Sequence, residues 1–184
     1  MPQMPKIRYY IGVDVGKLGA VVVQNSANSN IVVKVTPLIG DQLNEQAFAQ
    51  LFAPYYGKDC IVVMEDLHSI FGAGAKANFN FGGIFHFTRA CCVCNEIPYV
   101  LVQPKAWQKE MFGGIRTLTK PGKTDPKTGK PKVKVDTKAM SILACKRLFP
   151  KIPLTNPDSR RSTKPLDGIS DALLLSQYAK LRHP

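Results

Sequence analysis

The chain has 184 residues, 45% of them hydrophobic and 21% charged, a composition that excludes disordered and fibrous classes. At this length a single domain buries about two thirds or more of its unfolded surface, so no metal or disulfide is needed to hold a core. The 25 Lys and Arg against 13 Asp and Glu give a net charge of +12, which points to a polyanionic partner.

Residues 1–112 carry 9 basic and 8 acidic side chains, whereas residues 113–184 carry 16 and 5, so nearly all the excess lies in the last two fifths. No run approaches the roughly 20 apolar residues of a membrane span. The N-terminal stretch lacks the apolar core and cleavage site of a secretory leader, which implies a cytoplasmic protein without a membrane role. The five cysteines, Cys60, Cys91, Cys92, Cys94 and Cys145, are odd in number and show no CxxC pair, as expected of reduced thiols rather than a zinc site.

Residues 8–15, 20–24 and 31–36 read as three strands joined by the short turn signals GKLG and NSANSN, an antiparallel meander. Helical spacing through Leu43, Ala47, Leu51 and Phe52 predicts a helix over 41–55, closed by Pro54 and Gly57. The continuous apolar run 60–64 reads as a buried strand. A glycine-rich lead-in, FGAGAKANFNFGG, precedes a helix over 84–95, then a second buried strand over 98–102 and a short helix over 105–112. Residues 113–135 hold seven basic side chains, one acid, three Pro and four Gly, and read as a mobile basic loop within the domain. Helices follow over 136–149 and 166–181. The expectation is one α/β domain over 1–184, built on a mixed five-stranded sheet of three antiparallel and two parallel strands flanked by helices.

The acids sit at informative places. Asp14 ends an apolar strand in IGVDVGKLG, where alternation puts Tyr10, Gly12 and Asp14 on one face and Ile11 and Val13 on the other. A carboxylate there either caps a turn or serves a site. The Asp-x-Gly phosphate turn of sugar kinases and actin needs two such domains, which 184 residues do not supply. Glu65 and Asp66 end the second buried strand and face opposite sides, so at most one joins Asp14, and the pattern does not choose between them. Asp167 and Asp171 in LDGISDALLLSQYA are one helical turn apart, an unfavourable like-charge pair unless a cation lies close. As a helix start, the pair also has a purely structural reading, acids stabilised by the helix dipole. Together these acids can make an oxygen-rich nest for hard divalent ions such as Mg2+ or Mn2+, and two such ions can drive phosphodiester hydrolysis.

The motifs IGVDVG, VVMED and DGISDALLL, with FNFGGIFHF, VLVQPKAWQKEMF and DTKAMSILACKRLFP between them, resemble the RuvC-type Holliday junction resolvases of the RNase H-like nuclease superfamily. The last motif looks most like the phage and small bacterial members, and the likeness runs from about Ile11 to Tyr178. It implies an RNase H-like fold and metal ligands at Asp14, Glu65, Asp167 and Asp171, choosing Glu65 over Asp66. It also implies two Mg2+ ions per site, with Mn2+ able to substitute, and no protein nucleophile. A homodimer would resolve four-way DNA junctions by paired symmetric nicks, in a bacterial cell or, if viral, in the host cytoplasm. Two departures stand out. Some relatives place the last two acids three apart, where this chain has Gly168. The aromatic wedge that better-known members carry after the glutamate is here His68, with Phe71 nearby.

Candidate DNA contacts are His68, Lys105, Lys109, Arg116, Lys120 and Lys123, the lysines and arginine as phosphate partners that position without reading sequence. Phe79, Phe81, Phe85 and Phe87 suit core or dimer packing, and Trp107 reads equally as a core anchor or a groove-facing side chain. Rival readings are a related nuclease acting on branched DNA or RNA–DNA hybrids, and a non-catalytic basic nucleic-acid-binding protein.

Overall fold

A computed structural model describes residues 7–68, 74–125, 128–159 and 163–184. In chain order it contains β1 (Tyr9–Asp14), β2 (Ala20–Asn25), β3 (Ile31–Val35), β4 (Leu38–Ile39), β5 (Gln42–Leu43), α1 (Glu45–Ala49), β6 (Cys60–Glu65) and α2 (Ala75–Cys94). Then come β7 (Tyr99–Val102), α3 (Pro104–Met111), β8 (Thr119–Thr124), β9 (Pro131–Val135), α4 (Thr137–Leu148) and α5 (Asp167–Arg182). Five strands form one sheet in the order β3-β2-β1-β6-β7. The first three are antiparallel neighbours, whereas β1–β6 and β6–β7 run parallel. The expected mixed α/β sheet is therefore present, strand for strand.

Alternation along the strands divides the core between the two faces. Tyr10, Val22, Ile61 and Val63 pack with α3, α4 and α5 through Trp107, Ala144, Leu173 and Leu174. Ile11, Val13, Val62 and Met64 pack on the other side with Phe48, Phe52, Ile84 and Phe85. Helix α5 lies flat against β1 because Gly12 has no side chain. A Cβ there would stand 2.1 Å from the Ala172 carbonyl oxygen and 2.3 Å from the Ser176 nitrogen. The buried Gln24 side chain meets its hydrogen-bonding need across this contact by donating to Ser176 Oγ at 2.8 Å.

Three stretches differ from their sequence expectations. Region 41–55 is not one helix. Gly40, at φ +61°, turns β4 into β5, Asn44 caps a five-residue α1, and a 3-10 turn at Ala53–Tyr55 follows. Helix α2 begins at Ala75 rather than 84, so Gly82 and Gly83 lie inside it. Each costs about 1 kcal/mol against Ala, a penalty that burial of Ile84, Phe85, Cys91 and Cys92 on the sheet offsets.

The basic stretch 113–135 is only partly a loop. It folds into an antiparallel two-stranded ribbon, β8–β9, carried outside the main sheet. Its prolines, Pro121 and Pro131, are tolerated because a two-stranded ribbon consists entirely of edge strands. Cys60, Cys91, Cys92 and Cys145 are buried, Cys94 is exposed, and all five are free thiols. No helix among the described residues is long and apolar enough to cross a membrane.

Candidate metal centre

The parallel pairing of β1 with β6 brings the ends of both strands together, Val13 standing beside Met64. Asp14 and Glu65 are the last residues of these strands. Because Ile61 and Val63 belong to the α5 side of the sheet, alternation puts Glu65 on that side too, with Asp14. Asp66 points the other way, accepts a 2.6 Å hydrogen bond from Gln103 Nε2 and lines a separate cleft with His68, Phe85, His86 and Arg89.

Helix α5 delivers the remaining two acids. Its first residue is Asp167, and Asp171 follows one turn later on the side facing the sheet. Gly168, between them, is buried against the β1–β2 turn. A Cβ on it would lie 2.1 Å from the Leu18 carbonyl oxygen and 2.9 Å from Asp14 Oδ2. Position 168 therefore has no room for any side chain in this packing.

Charge repulsion within the cluster falls on Asp14 and Asp171. Burial, followed by repulsion from Asp171, Glu65 and Asp167, holds the Asp14 carboxyl well above its ordinary value, with only Lys138 opposing. Asp171 is pushed up to about 7, chiefly by burial; a hydrogen bond from Ser141 opposes this, while Glu65 and Asp167 add to it. Its Oδ1 is buried with no hydrogen-bond partner among the described residues. Glu65 is also raised by burial, opposed by a 2.8 Å hydrogen bond that Trp107 Nε1 donates to Oε1. Lys138, from the first turn of α4, pairs with Asp167 Oδ2, and the ammonium is held above its ordinary pKa chiefly by that bond.

Two of these partners were not assigned from sequence. Trp107 is fully buried and faces inward, a core anchor whose indole N–H is spent on Glu65. Lys138 was missed because nothing local to DTKAM reveals that a helix 29 residues downstream places Asp167 opposite it.

An all-oxygen donor set suits a hard divalent cation, and a buried, unpartnered carboxylate oxygen at Asp171 suits one as well. The side chains are nevertheless not drawn into a closed cage. Among the described residues no group of three His, Cys, Asp or Glu is placed to hold a metal ion as the side chains stand, and Asp167 and Glu65 are engaged by Lys138 and Trp107. The chemistry of the donors fits Mg2+.

The expected DNA contacts scatter more widely. Lys105 and Lys109 are exposed on α3, and Arg116 is exposed between α3 and β8. Lys123 is exposed on β8, whereas Lys120 is committed to Asp136 at 2.9 Å. His68 is exposed after β6, and Phe71 lies outside the described residues. Of the four phenylalanines, Phe85 is buried, Phe87 is partly buried against Phe48, Phe81 is partly buried, and Phe79 is 81% exposed.

The strand order and the helix across its face make an RNase H-like fold. Among solved structures it is similar to T. thermophilus RuvC in complex with Holliday junction substrate, with a TM-score of 0.52 over 96% of this chain and 95% of that one, at 11% sequence identity. No protein-family model matches the chain. No curated protein matches it either.

Proposed function

We propose that the chain is a Mg2+-dependent, structure-selective endodeoxyribonuclease that resolves four-way DNA junctions by paired symmetric nicks, working as a homodimer. The observation that carries this reading is the gathering of Asp14, Glu65, Asp167 and Asp171 at one end of the parallel β1–β6 pair, where Asp171, Glu65 and Asp167 raise the cost of ionising Asp14, and Glu65 and Asp167 that of ionising Asp171. Nothing in a stably folded domain requires such an arrangement, and a divalent cation relieves it. The fold shared with a junction-bound RuvC supports the choice of substrate.

Two bound Mg2+ ions, or Mn2+ in their place, supply activation of a water and charge stabilisation of the leaving oxygen. The chain's own part is positioning. Trp107 fixes the Glu65 carboxylate, Ser141 orients Asp171, and the β1–α5 contact fixes Asp14 relative to the helix. Lys138 neutralises Asp167, one of the four carboxylates that would hold the ions. The exposed Phe79 and the open face at Gly82 and Gly83, where an added Cβ meets nothing within 4 Å, suit the approach of a second α2. Lys105, Lys109 and Arg116 supply phosphate contacts beside the cleavage site, and the excess charge over 113–184 draws in the polyanion.

The test is cleavage of a synthetic four-way junction, a plain duplex and an RNA–DNA hybrid, each with Mg2+ and with chelator. Symmetric nicks confined to the junction and dependent on metal are expected. Cutting of the hybrid instead identifies a different RNase H-like nuclease, and binding without cutting in any metal identifies a non-catalytic protein.

A further inference from the structure

The β8–β9 ribbon is two-faced. Along β9 alternation places Lys132 and Lys134 on one side and Pro131, Val133 and Val135 on the other, with exposed Lys130 immediately before the strand. Cross-strand pairing extends both sets. Lys120 stands opposite Lys134, while Pro121 stands opposite Val133 and Thr124 opposite Pro131, with a break in register between Pro121 and Thr124, the stretch that holds exposed Lys123. Between Thr119 and Val135 the sequence has six lysines and a single acid, Asp125. Every residue of β9 is exposed.

This arrangement is unfavourable in isolation. A two-stranded hairpin is marginal in water, and directly opposed like charges such as Lys120 and Lys134 weaken it further. Two acids offset part of the repulsion, Asp136 at 2.9 Å from Lys120 and Asp125 at 3.4 Å from Lys132. The remaining positive charge is aligned rather than dispersed. Lysines two residues apart on a strand are roughly 7 Å apart, close to two steps of the ~3.4 Å rise per phosphate along one DNA strand.

The ribbon is also tied to the carboxylate cluster. Asp136 caps α4, accepting from Lys120 Nζ and from the Ala139 amide, and two residues later Lys138 pairs with Asp167. A rise of ~1.5 Å per helical residue keeps the foot of the ribbon within about one turn of Lys138.

We propose that the lysine face of β8–β9 is a phosphate rail that seats one duplex arm of the DNA substrate next to the carboxylate cluster. The partner follows from charge complementarity, and the placement follows from the chain's continuity with α4. The proposal rests on the nuclease reading for what happens after binding, but the binding itself does not depend on cleavage.

Binding is measured in chelator on a long-armed junction and on plain duplex, as a function of salt, for wild type and for the combined variant Lys123→Gln, Lys130→Gln, Lys134→Gln. These three leave both ion pairs of the ribbon in place, so the fold is retained. Losing about three phosphate contacts lowers the slope of log affinity against log salt by about 2.7, shrinking the affinity lost between about 50 and 200 mM salt by roughly 40-fold. The matching Arg variants keep the wild-type slope, and so does Val133→Thr on the opposite face. Bound DNA raises amide-exchange protection across 119–125 and 128–135. An unchanged slope in the Gln variant overturns the proposal, as does a loss of binding confined to Val133→Thr. A change in self-association with DNA binding intact also overturns it, showing the face to be a protein contact. Wild type that binds through the lysine rail yet never cuts in Mg2+ refutes the nuclease reading and leaves the rail standing.

Discussion

Asp14 and Asp171 contribute negative charge where the protein can least accommodate it, between a strand end and a helix that touches it through glycine. Replacing Asp14 by Asn keeps the shape and removes a cation donor. Cleavage of a four-way junction is expected to fall by about a thousandfold or more, since metal-derived stabilisation is worth several kcal/mol, while junction binding in a gel-shift assay is preserved or tightened.

The same residues set a pH dependence. Asp171 has its pKa raised from 3.8 to about 7 in the folded protein, so between those values the native state holds a proton that the unfolded state has released. The stability that Asp171 contributes in chelator is therefore fully present below about pH 4 and is lost as pH rises through about 7. Asp14 and Glu65 shift in the same direction and steepen the fall. Urea denaturation across this range checks the sign, and Asp171→Asn flattens the slope.

Trp107 belongs to this scale as well. Trp107→Phe keeps most of the buried area and loses the hydrogen bond to Glu65. A bond to a charged group is worth about 1.5–3 kcal/mol, which would appear as lost stability, with a raised Mg2+ midpoint for cleavage reporting the freed carboxylate.

At the scale of elements, the contact between β1 and α5 decides whether the cluster exists. Gly12→Ala drives a methyl group into the α5 backbone, and no rotamer relieves a 2.1 Å approach to a carbonyl oxygen. The helix must move off the sheet, at a cost of about 3 kcal/mol or more. Thermal melting should show a large drop, with cleavage lost in the surviving folded fraction because Asp167 and Asp171 move with the helix. The central elements were the legible ones. Strands β1, β2, β3, β6 and β7 announce themselves as apolar runs, and α3, α4 and α5 fall within a residue or two of their periodic patterns. The marginal elements were not. The 20-residue α2 overrides its own glycines through packing, and the β8–β9 ribbon was hidden by its prolines and lysines. Its period-2 signal, Lys130-Pro-Lys-Val-Lys-Val135, was present but read as charge rather than as alternation.

For the whole molecule, the charge of +12 and the α2 surface make separate demands. Phe79 and Val93 are exposed on α2 at 81% and 65%, and a second copy of the chain packed there would bury them. Sedimentation of wild type is expected to show a dimer, and Phe79→Ser to shift it toward monomer while leaving the melting temperature nearly unchanged. On the proposed dimeric reading, paired nicking should then decay into single, uncoupled nicks.

The sequence by itself determined where the acids stand along the chain, at two strand ends and on the first turn of the last helix, because hydrophobic periodicity locates strands and helices locally. It also determined that Asp14 shares a face with Gly12, since alternation within one strand is a local property. Only the tertiary structure decided that Glu65 faces Asp14 while Asp66 turns to Gln103, that Trp107 and Lys138 are the cluster's partners, and that Gly168 leaves no room for a fifth acid. Each of those depends on the register between segments far apart in the chain. Register is fixed by the joint packing of both sheet faces, which no single segment encodes.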